Sequence, residues 1–92
     1  MAQGQILVTN GDNSDNYVTI NDLNLAGGPV IGGWDKKRLN ATDRDVPANV
    51  ELDGSGFANV RWYAERASDP NVNNSKTEPP VANGGTIFPS AS

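Results

Sequence analysis

Asp12, Ser14 and Asn16 fall at alternating positions, the opening of a pattern that presents successive oxygen ligands to calcium. That pattern also needs Gly at its sixth position and an acidic residue at its twelfth, and the chain has Tyr17 and Leu23 there. The segment is therefore expected to be an ordinary polar loop. Asp43 and Asp45, with Asp53 further along, add oxygens that an irregular calcium site could use, but their spacing matches no ligand set. No metal site is assigned. Trp34-Asp35-Lys36-Lys37-Arg38 sets an aromatic ring beside three cations, a combination able to stack on a base and hold a phosphate. Asp35, Asp43 and Asp45 surround it, so a solvated loop, or a patch facing an acidic protein neighbour, is the expectation. Trp34 is a candidate interface anchor, because an indole beside glycines is costly to leave in water.

The remaining chemistry is sparse. The 11 Asp and Glu residues make some carboxylate pair inevitable, yet nothing groups two of them around a substrate as glycoside hydrolysis requires. Gly27-Gly28-Pro29 and Gly84-Gly85 precede neither Lys-Ser/Thr nor a recognisable helix, so neither is a phosphate loop. Asn40-Ala41-Thr42 and Asn73-Asn74-Ser75 match the glycosylation acceptor pattern, which an Asn-rich chain produces by chance. His and Cys are absent altogether, and with them the side chains that most often run nucleophilic, acid–base and soft-metal chemistry. A non-enzymatic protein without a cofactor is expected. The net charge of −4 opposes nonspecific binding to nucleic acid or to an anionic membrane, which both need a positive surface. The start, Met1-Ala2-Gln3-Gly4-Gln5, lacks the basic and apolar regions of a signal peptide, and no run approaches a membrane span.

The elements that must position these residues are short. Of the 92 residues, 20 are Asn or Asp, which favour turns because their side chains bond nearby backbone and tolerate left-handed conformations. Gln5 to Thr9 and Tyr17 to Ile20 are two β-rich runs, and the Asn10-Gly11 opening between them predicts a hairpin. Val30-Ile31 fits a very short strand between two glycine turns, and Trp34 to Ala48 fits a long surface loop. Val50 and Leu52 alternate before the turn Asp53-Gly54-Ser55-Gly56. Phe57 to Glu65 is the strongest run: adjacent Trp and Tyr favour a strand over a helix, with Ala58, Val60, Trp62 and Ala64 on one face.

After Ala67 the composition shifts, with four of the six prolines and few large apolar groups. Residues 1–67 are accordingly expected to form a β domain, and 68–92 an extended C-terminal arm. The fold expected is all-β, a small sandwich or open barrel of about five to seven short strands with extended terminal arms. Leu, Ile, Val and Phe number only 19, close to the composition at which chains stay disordered. Without disulfides, oligomerisation or docking on a partner is the expected remedy for so thin a core. The function that follows is structural, a component of a large assembly of the kind that decorates or cements a viral or phage capsid. Protein neighbours, copies of the chain itself among them, are the expected partners, with Trp34, Val81, Ile87 and Phe88 at the interface. The alternative is a stand-alone carbohydrate- or peptide-binding β module, extracellular or at a cell surface.

Overall fold

Alternation of apolar and polar residues underlies the longer strands, and strands make up half of this chain. The computed structural model describes residues 2–92. It contains β1 (Ala2–Val8), β2 (Asn16–Asp22), β3 (Lys37–Leu39), β4 (Val46–Leu52), β5 (Phe57–Ala58), β6 (Val60–Arg66), β7 (Asp69–Thr77), β8 (Val81–Ala82) and β9 (Thr86–Ile87). The protein is all-β, a small sandwich. Three of the nine strands are two-residue pieces, and the six longer ones carry the fold.

One sheet has the order β4-β1-β9, with β1 antiparallel to β4 from Ala2↔Leu52 to Val8↔Val46 and parallel to β9 at Leu7↔Thr86. The second sheet has the order β3-β2-β6-β7, all antiparallel, and β5 pairs separately with β8. Every second residue points inward. Ile6 and Val8 of β1, Val18 and Ile20 of β2, Ala48, Val50 and Leu52 of β4, and Val60, Trp62 and Ala64 of β6 build one core between the sheets. The inward face of β6 is the one its alternation predicts.

The Asn10-Gly11 hairpin does not form. β1 and β2 lie in different sheets, and the polar segment between them arches from one to the other. The type I′ hairpin turn that Asn-Gly favours needs positive φ at both central residues, and neither Asn10 nor Gly11 has one. The Asn10 side chain instead donates to the carbonyls of Ser14, Leu39 and Asn40, tying the arch to the end of β3. Gly11 is there for close approach: a Cβ would lie 2.6 Å from the carbonyl oxygen of Phe88.

Two further expectations change. Trp34 to Ala48 is not one surface loop, because β3 and the start of β4 fall within it and Leu39 is buried. The segment from 68 onward does not leave the domain. β7 folds back on β6 through a bulge at Glu65/Arg66, β8 pairs with β5, and β9 closes the far edge of the first sheet. Ile87, Pro89 and Ala91 are buried against the chain's own core. The N-terminal run, likewise, is the central strand of its sheet and not an arm.

Candidate docking site

Of the side chains that could have formed a calcium site, Asp12, Asp43 and Asp53 spend their oxygens on hydrogen-bond donors of the chain itself, chiefly backbone N–H groups. Asp12 accepts hydrogen bonds from Ser14 N (2.8 Å), Asn16 Nδ2 (3.1 Å), Ser90 Oγ (3.1 Å) and Ala91 N (3.1 Å). Burial pushes its pKa up, but those four donors together outweigh it and hold the carboxyl below the ordinary aspartate value. Asp15 accepts from Ala41 N and from Arg38, which lower its pKa in that order. At the other end of the molecule Asp22 accepts from Asn24 N and Glu51 N. Asp53 caps its own turn through Ser55 N and Phe57 N and also holds Asn59. Among the described residues, no three Asp or Glu side chains converge on a common point as a metal would need.

The cationic stretch is also committed internally. Trp34 is 2 % exposed, and its indole N–H donates to the Pro47 carbonyl (3.3 Å). A ring in that position is closed to a stacking base. Lys37 Nζ lies 5.7 Å from its centroid, Lys36 approaches Glu65 at 3.9 Å, and Arg38 bonds Asp15, Tyr17 and Asn40. Trp34 and Ile87, expected to anchor a neighbour, therefore offer it almost no surface, since both are spent on the chain's own core. Val81 is half-buried in β8 and packs on that core. Phe88 alone of the four is widely exposed, at 60 %.

What the structure does gather is apolar surface at one end. Among the described residues, Leu23, Leu25, Val30 and Phe57 are four of the six large exposed hydrophobic residues, with Tyr63 and Phe88 the others. Local chemistry puts them together. Gly27 (φ 80°) and Gly28 (φ 57°) take consecutive left-handed conformations, reversing the chain so that Val30 returns to bridge Asn21. Leu23 N bonds Asn59 O, and Asn24 Nδ2 bonds both Glu51 O and Phe57 O, which fixes this loop against β4 and β5.

Between the loop and β4 runs an open groove of about 410 Å³. Leu25, Pro29, Val30 and Ile31 form its apolar wall, and Asn49 and Glu51 lie on the opposite side. Its charged lining residues, Asp22 and Glu51, are both acidic. Phe88 stands far from this groove, beyond the Val8 end of β1, beside a second hollow lined by Asp12, Asp43 and Arg44. Leu23 and Leu25 do stand out in the sequence as a period-two pair beside glycines. Nothing local, however, says that the loop carrying them folds back onto β4. Comparison of the chain with protein-family models, curated proteins and solved structures finds no match to any of them.

Proposed function

We propose that this protein is a non-enzymatic structural component of a large protein assembly, of the decoration or cement type found on viral and phage capsids. The observation that supports this reading is the collection of Leu23, Leu25, Val30 and Phe57 at one end of the sandwich. Large apolar side chains scattered singly are normal, but a contiguous group of them marks an interaction surface. Phe88 adds a second apolar point at the opposite end of β1, about 20 Å away along six residue steps. A small body with contacts at both ends is suited to joining two neighbours, which needs shape and adhesion and no catalytic group.

The test is sedimentation of the protein isolated from its source, followed by the Leu25→Asp, Val30→Asp double variant. The chain should be recovered in fixed copy number within a high-mass particle. The double variant should fold and melt like the parent and fail to incorporate. Recovery as a lone monomer at every concentration, with no particle containing it, overturns the assembly reading. The groove would then favour a free-standing peptide-binding module.

A further inference from the structure

The groove has a feature that an apolar patch by itself lacks, namely open backbone. Residues 46, 48, 50 and 52 of β4 are the partners of Val8, Ile6, Gly4 and Ala2, while Gln5, Leu7 and Thr9 of β1 bond the β9 side. Alternation then points the backbone groups of Pro47, Asn49 and Glu51 away from β1, toward the groove. Pro47 has no N–H, and its carbonyl takes the Trp34 indole. Glu51 N donates to Asp22 Oδ2 (2.9 Å), and Glu51 O accepts from Asn24 Nδ2 (2.9 Å). The N–H and C=O of Asn49, between these two closures, have no partner among the described residues. Opposite, Pro29 O and Ile31 N bond β2, which turns the backbone groups of Val30 outward as well.

Charge identifies the occupant. The Glu51 carboxylate is half-buried at the groove and has no hydrogen-bond or ion-pair partner among the described residues. Asp22 adds a second negative charge beside it, and among the described residues no cation lines the groove. Resting on the assembly reading, we propose that this groove seats an extended, cationic segment of a neighbouring protein. Its backbone bonds Asn49, its apolar side chain packs on Leu25 and Val30, and its Arg or Lys pairs with Glu51. The closures at Pro47 and Glu51 are about 13 Å apart at about 3.3 Å per residue. The segment therefore crosses β4 at one residue pair and does not add as a full strand.

The probes are two blocked pentapeptides, Val-Arg-Val-Arg-Val and Val-Glu-Val-Glu-Val, titrated into the 15N-labelled protein and followed by amide chemical shifts. The Arg peptide should move Asn49, Val30 and Glu51 and leave the β7 amides in place. Glu51→Gln, which keeps the backbone bond to Asp22, should weaken it about threefold, the size of a partly exposed ion pair. The Glu peptide should have no effect. Equal binding of both peptides, indifference to Glu51→Gln, or no response to either overturns the proposal. Loss of incorporation in the Leu25→Asp, Val30→Asp variant with no peptide response would keep the assembly reading and reject this occupant. Specific peptide binding by a chain that enters no particle would do the reverse.

Discussion

Asp12 shows what an acidic side chain does in this protein. Its four donors come from its own loop, from β2 and from the C-terminal residues Ser90 and Ala91, so a single carboxylate joins three parts of the chain. Such bonds strengthen the charged form and are lost when it is protonated. The folded pKa lies below the unfolded value, so the stabilisation is complete above about pH 4 and disappears as the pH falls through the lower, folded value. Asp15 and Asp53, both lowered by backbone and side-chain donors, act in the same window. The melting temperature should be flat from neutral pH to about 4.5 and fall steeply below about 4. Asp12→Ala should destabilise the protein at pH 7 and flatten part of the acid limb. Unchanged acid sensitivity in that variant would remove Asp12 from the account. The turn preference of Asp and Asn is legible in the sequence. That Asp12 would reach Ala91, 79 positions away, is not.

At the scale of elements, β6 is the piece in which local pattern and tertiary role agree. Its alternation places Val60, Trp62 and Ala64 inside, and Trp62 is further held by an indole N–H bond to Glu78 (2.7 Å). Trp62→Ala should cost about 3–5 kcal/mol, whereas Tyr63→Ala, on the exposed face, should cost about 1 kcal/mol. Chemical denaturation of the two variants measures the difference, and similar losses would place Trp62 outside the core. The C-terminal segment is the opposite case. Its four large apolar residues in 25 predict an arm, because they repay too little of the entropy of ordering it. The missing stabilisation comes from backbone bonds: Leu7 N to Gly85 O, Gly84 N to Gln5 O, Thr9 N to Ile87 O and Gly11 N to Pro89 O. Deleting 81–92 should therefore abolish cooperative unfolding, and Ile87→Ala alone should cost about 2–5 kcal/mol. A truncated chain that melts like the parent would restore the segment to a dispensable arm.

The whole molecule is held by a modest core with polar clasps at both ends. At one end Asn10, Asp12 and Asn16 bind the arch to β3 and to the C-terminal residues. At the other, Asp22, Asn24, Asp53 and Asn59 lock the Leu23–Gly28 loop to β4 and β5. Buried polar groups tolerate this only when bonded, and these are bonded chiefly to backbone, with the Asn16 Oδ1 atom the exception, buried without a partner among the described residues. Chelation should leave stability unaltered, since the carboxylates in these clasps are already filled by N–H and O–H donors of the chain itself. A clear drop in melting temperature with EDTA would mean that cations share those oxygens.

The sequence by itself determined the β class, the turns at Asp53–Gly56 and around the paired glycines, and the buried face of β6. These depend on alternation and on side-chain bonds within a few residues, so they are properties of local segments. Tertiary structure alone decided that β1 pairs with β4 and β9, that Trp34 and Ile87 turn inward, and that Leu25 and Val30 stand beside an open stretch of β4. The reason is physical. An apolar residue in a short polar chain has the same local signal whether its partner is the chain's own core or a neighbour. Only the non-local pairing of strands settles which surface is consumed within the fold and which is left for another protein.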